Sequence, residues 1–178
     1  SVGFMFESVF DIDPEADEAA LRDHVDLCER LKSAAAAAQA RATALWDARR
    51  RAAEEAARVP ARKRGKGLAS EIALARRDAP HCGNTHLGMA KALVHEMPHT
   101  LAALACGVLS EYRAQLIVKA SACLSVEHRR ELDAELCADP SALEGWGNAR
   151  VEAEAKKITA RLDAAAVVER SAKAVGDR

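Results

Sequence analysis

The stretch from Asp13 to Val59, DPEADEAALRDHVDLCERLKSAAAAAQARATALWDARRRAAEEAARV, contains no glycine and, after Pro14, no proline. Nothing in it halts a helix once one has started, and alanine, the best helix former, dominates its centre. Asp13 is a side-chain cap candidate, and Pro14 at the first helical position gives up no hydrogen bond. Acidic Glu15, Asp17 and Glu18 then meet the positive end of the helix dipole. The stretch predicts one alanine-rich helix over 14–59, roughly 65 Å long at 1.5 Å per residue. Its inward positions read as a heptad, with Leu21, Cys28, Ala35 and Ala42 alternating with His24, Leu31, Ala38 and Leu45, until Arg49 breaks the register. A helix of this length needs a partner for its apolar stripe, from the same chain or from a second subunit. Leu21, Leu31, Ala38 and Leu45 are the seam residues expected in the second case.

Beyond this helix, Pro60 to Gly67 (PARKRGKG) combines a breaker, two glycines and four basic residues, and predicts a basic linker over 60–67. Residues 68–178 then read as a cluster of shorter helices. They run from Gly67 to Arg77, Thr85 to Glu96, Pro98 to Cys106, the segments after the cap serines Ser110 and Ser125, and finally Ala149–Leu162 and Ala164–Val175. Turns are expected at Pro80–Gly83 and at Gly145–Asn148, a left-handed cap at Gly107, and a repeat of the cap-plus-proline device at Asp139-Pro140. No segment reads as a strand. The expected fold class is all-α, one very long N-terminal helix followed by a helical cluster.

Composition narrows the function classes. Of 178 residues, 49% are hydrophobic but only 3% aromatic, which favours close-packed helices over a thick aromatic core. Lys and Arg total 26 against 27 Asp and Glu, so any nucleic-acid contact must come from a local patch. Five cysteines, Cys28, Cys82, Cys106, Cys123 and Cys137, form no C-x-x-C pair and leave one over in any disulfide scheme. Buried, reduced thiols in a cytoplasmic chain are the expectation. No apolar run approaches the roughly 18 residues of a membrane span.

His95-Glu96-Met97-Pro98-His99 spells H-E-x-x-H, the signature of a zinc peptidase helix. That chemistry needs both histidines one turn apart on an unbroken helix, with the glutamate activating a metal-bound water. Pro98 has no N–H for the carbonyl of Val94 and drives Met97 out of the helical region. The motif therefore straddles a junction, one helix ending near Glu96 and the next starting at Pro98. No metal, catalytic residue or cofactor is expected; a zinc hydrolase using His95 and His99, with Glu111, Glu127 or Glu131 as third ligand, is the minor alternative. His24 and Cys28, four apart, and His81, Cys82 and His86, around a turn, read as ordinary helix and loop residues. Trp46, Trp146 and Tyr112 read as packing residues.

The basic residues carry the functional expectation. Arg49, Arg50 and Arg51 lie near the end of the long helix, and Arg58, Arg62, Lys63, Arg64 and Lys66 follow closely. Clustered like charge is a natural site for polyanionic phosphate. No aromatic residue interleaves the run, which argues against single-strand stacking and for backbone contact with double-stranded DNA. Arg76-Arg77 and Arg129-Arg130 extend the patch only if the fold brings them alongside. The alternative is a homodimer through the long helix.

The segment Ala92–Ser125, ALVHEMPHTLAALACGVLSEYRAQLIVKASACLS, with DAELCADP at 133–140 and RLDAAAVVERSAKA at 161–174, resembles the N-terminal helical module of the actinobacterial 13E12 repeat family. The resemblance covers Leu68 to Arg178 well and the long helix more loosely; Tyr112 stands where the family carries tryptophan. It implies a helical domain of unknown function, often found upstream of an HNH endonuclease domain, and hence a chain truncated before such a domain. An HNH site needs a ββα metal fold, which these residues do not spell, so no DNA cleavage is expected of them. The resemblance and the basic run together predict a non-catalytic module that positions the protein on DNA.

Overall fold

A computed structural model describes residues 11–176, with side chains to residue 164. Every regular element among them is helical. The first helix, α1 (Glu18–Ala56), runs 39 residues, about 58 Å. Its cap is Asp17, whose side chain accepts from the N–H of Ala20 at 2.8 Å. The expected start at Asp13-Pro14 is a correction: Asp13 accepts from the N–H of Glu15 and closes a turn before the helix. Two acidic caps compete four residues apart, and the inner one opens the helix.

After α1 come α2 (Leu68–Ala75), α3 (Gly83–His95), α4 (Pro98–Ala105), α5 (Glu111–Ala120), α6 (Val126–Cys137) and α7 (Asn148–Gly176). Short 3₁₀ turns lie at Ala61–Lys63, Pro80–Cys82 and Pro140–Leu143. The two helices expected after Gly147 are one, because no glycine or proline separates Leu162 from Ala164. Ser110 and Ser125 cap α5 and α6 through bonds from the N–H groups of Arg113 and His128. Gly107, at φ +83°, closes α4.

The helices pack as a chain of neighbours. α1 lies across α3 and α4, α2 packs on α3, α4 on α6, and α7 closes against α5 and α6. Small residues govern the α1 contact: Ala36, Ala37 and Ala40 meet Met89, Leu93, Leu101 and Leu104. The second core lies beneath it, where Met97, Ile117, Leu132, Leu143 and Val151 are almost fully enclosed.

The buried face of α1 is Ser33, Ala36, Ala37, Ala40, Thr43, Ala44 and Asp47. This corrects the inward heptad read from sequence. At 100° per residue, Leu31, Ala38 and Leu45 fall on the opposite side and Leu21 on its flank, and all four are exposed. Five consecutive alanines at 34–38 give no apolar contrast to select a face, and the large leucines point outward.

The H-E-x-x-H segment is a helix junction, as Pro98 requires. Glu96 ends α3, Met97 (φ −132°, ψ 60°) is wholly buried, and Pro98 opens α4. Three side chains of α6 stitch the junction. Arg129 forms an ion pair with Glu96 and donates to the carbonyls of Ser121 and Leu124 at 3.3 Å, gathering the end of α5. The guanidinium of Arg130 reaches the carbonyl of His95 at 3.5 Å. Asp133, fully buried, caps α4 from 33 residues away, accepting from the N–H of Thr100 and of His99.

Candidate nucleic-acid interface

The basic run at 49–66 spans the last turns of α1 and a folded loop, residues 57–67, docked on them. Glu54 and Glu55 sit on the loop-facing side of the helix and bind it. Glu54 accepts from the N–H of Gly65 at 2.6 Å, and Glu55 pairs with Arg64 at 2.9 Å. Arg64 also donates from Nε to the carbonyl of Val59 at 2.9 Å. Gly65 adopts φ +74° with the Arg51 guanidinium beside it; a Cβ there would lie 3.0 Å from Arg51 Nη2. The expected linker is thus an ordered platform.

Three of the eight expected phosphate ligands serve that platform. Arg50 makes two bonds to Glu71 of α2, at 3.1 and 2.8 Å. The Arg50 hydrogen bond holds the Glu71 carboxyl below its ordinary range, with the guanidinium charge adding to it. Arg51 pairs with buried Asp47 at 2.9 Å, and Lys91 of α3 approaches the same carboxylate at 3.5 Å. Arg64 is the third. The other five, Arg49, Arg58, Arg62, Lys63 and Lys66, are exposed and have no acidic partner among the described residues. Sequence spacing alone reveals the i,i+4 pair of Asp47 and Arg51; the Glu71 contact spans 21 residues and carries no local signal.

Arg58 has a special backbone position. Its N–H bonds the carbonyl of Glu55 and that of Val59 bonds Glu54, the paired bonds that close a helix around a left-handed residue. Glycine normally fills that place, yet Arg58 holds it at φ +60°. Arg58→Gly should therefore raise stability by roughly 0.5–1 kcal/mol, the left-handed strain relieved less a small loss of charge–dipole attraction. Urea denaturation checks this; a loss of stability would mean that the Arg58 side chain is held by contacts.

Of the other basic pairs, Arg76 pairs with Glu111 at 2.6 Å and Arg129 with Glu96, while Arg77 is exposed with no acidic partner among the described residues and Arg130 reaches the carbonyl of His95. His95 and His99 are both exposed, and Glu96 is committed to Arg129. Glu131 lies 3.9 Å from Arg161. Among the described residues no three His, Cys, Asp or Glu side chains converge as a metal site. His86 Nε2 instead meets Asp78 Oδ2 at 2.9 Å. Burial, then Asp78, pushes the Cys82 thiol up, so it is no activated nucleophile.

All five cysteines are free, but only Cys137 is buried; Cys106 and Cys123 are exposed, which corrects the expectation of buried thiols. Burial drives Cys137 to about 11. Tyr112 is also exposed rather than packed, while Trp146 packs on the core beneath Arg150, 4.1 Å from its ring centroid. Trp46 lines a shallow cavity of about 170 Å³ between α1 and α2 with Thr43, Ile72 and Arg76. That is well below the roughly 300 Å³ at which small-molecule pockets begin. No helix among the described residues is long and apolar enough to cross a membrane.

Compared with known proteins, the chain matches no family model, no curated protein and no solved structure.

Proposed function

We propose that this chain is a non-catalytic helical module, of the kind found at the N-terminus of the 13E12 repeat family it resembles, that holds its protein on double-stranded DNA through phosphate contacts. One observation carries the reading: a basic loop fixed to the end of α1 presents Arg58, Arg62, Lys63 and Lys66 to solvent, with Arg49 exposed on the helix, and none of the five has an acidic partner among the described residues. Preorganisation matters because ordering a free loop on binding would consume part of the electrostatic gain. The unpaired cations fit phosphate rather than base edges, so binding would be salt-sensitive and weakly sequence-specific. In this reading the chemistry lies in a downstream nuclease-like domain, and the module supplies attachment.

Replacing Arg62, Lys63 and Lys66 together with glutamine tests it. At 50 mM salt the affinity for a short duplex should fall about 10- to 100-fold, with unchanged helicity, since each phosphate contact contributes a counterion-release increment. An affinity within twofold of the parent would remove the loop from the interface.

A further inference from the structure

We propose that two copies of this chain associate through the outward face of α1, antiparallel, with the level of Ser33 at the two-fold axis. This inference stands apart from the DNA reading. The face carries an apolar stripe that the other described residues leave open: Leu21, Leu31 and Leu45 are 42%, 40% and 53% exposed. Leu27 falls in line with Leu45 and is exposed as well. A second copy of the chain is the occupant that fits, for reasons of shape, charge and area.

An isologous contact pairs the same patch with itself. In the antiparallel register Leu21 meets Leu45 of the second copy, His24 meets Ala42, Cys28 meets Ala38 and Leu31 meets Ala35. Apart from the terminal leucine pairs, each larger side chain lands on an alanine, which lets the two backbones approach closely.

Charge selects the same direction. Residues 11–32 hold eight acidic against three basic side chains, 33–40 hold none, and 41–66 hold nine basic against three acidic. Antiparallel pairing sets the acidic half of one helix beside the basic half of the other, whereas parallel pairing would set like against like. Arg49, the residue that breaks the heptad, falls opposite Asp17 of the second copy. Near the axis Lys32 meets its own copy, and its ion pair with Glu29 at 2.7 Å offsets that repulsion. Arg49 would then serve the dimer and leave Arg58, Arg62, Lys63 and Lys66 to the loop.

From Asp17 to Arg49 the strip is about 48 Å long at 1.5 Å per residue. At the spacing of packed helices, about 10 Å, it covers about 500 Å² on each partner, about 1,000 Å² in all, where specific interfaces begin.

Light scattering on the eluting full chain over a range of concentrations tests the association. The expected mass is twice the chain's 19.0 kDa. Leu31→Glu and Ala38→Glu, both at exposed positions, should each weaken dimerisation at least about 100-fold while leaving the circular dichroism spectrum intact. The register is read by oxidising Ala38→Cys in a chain that also carries Cys106→Ser and Cys123→Ser. Peptide mapping should find Cys28 of one chain joined to residue 38 of the other. A monomer at every concentration, a dimer indifferent to both glutamate variants, or crosslinks of 28 to 28 and 38 to 38 would each overturn the proposal.

Discussion

Asp133→Ala is expected to lower the stability of this chain by about 3–4 kcal/mol, combining a lost helix cap with unsatisfied buried donors. The Asp133 carboxylate is fully buried and accepts three bonds. They come from the N–H of His99 at 2.8 Å, the N–H of Thr100 at 2.8 Å and the hydroxyl of Thr100 at 2.6 Å. These are the leading N–H groups of α4, and Pro98 at its first position supplies none. Met97, the local cap position, has no side-chain oxygen, so the start of α4 depends on a residue of α6. Alanine would leave the N–H of fully buried Thr100 without an acceptor and its hydroxyl with only the weak acceptor Cys137 Sγ, at 3.4 Å. A loss of this size corresponds to a melting temperature lower by about 10 °C for a chain of this length. Asp133→Asn keeps one acceptor oxygen but turns an amide N–H₂ toward a donor, and should fall between the two. Melting by circular dichroism checks the order; an alanine variant within 1 kcal/mol of the parent would show that α4 is not held through Asp133.

Gly83→Ala should lower stability by about 2–3 kcal/mol, the cost of overpacking a rigid contact. A Cβ at Gly83 would stand 1.9 Å from the carbonyl oxygen of Ala69 and 2.4 Å from its carbon, both backbone atoms of α2. No rotamer relieves that contact, so α2 must move away from α3. The dihedrals of Gly83, φ −59° and ψ −39°, suit alanine perfectly well, and the penalty is steric alone. Gly88 on the same helix supplies the control, since a Cβ there meets nothing within 4 Å. Gly88→Ala should gain up to about 1 kcal/mol from helix propensity. Urea midpoints moving in opposite directions for the two variants are the expected result; equal shifts would contradict the close α2–α3 crossing. Because α2 carries Glu71, the partner of Arg50, the Gly83 variant should also loosen the basic platform.

Features written locally were legible in the sequence. Pro98 fixed the junction, Ser110 and Ser125 announced their helices, and Gly107 marked a left-handed stop, because each acts through its own dihedrals or a bond within a few residues. The tertiary features were not. Asp133 reads as one more acidic residue within α6, and nothing near Pro98 says that its cap arrives from a distant helix. The inward face of α1 was misread because alanines surround that part of the helix, leaving its leucines as the only contrast, and they belong to the outward stripe. In the candidate interface the basic residues themselves stood out at once. The division into three that fold the loop and five that face solvent depends on Glu71, Asp47 and Glu55, whose placement only the packed helices decide.

Binding of the whole chain to a labelled 20-base-pair duplex across a salt series tests most directly the proposal that the basic residues of 49–66 contact phosphate. With about four phosphates neutralised, the logarithm of the affinity should fall with the logarithm of salt at a slope near −3.6. No binding at 50 mM salt, or a slope near zero, would contradict the account.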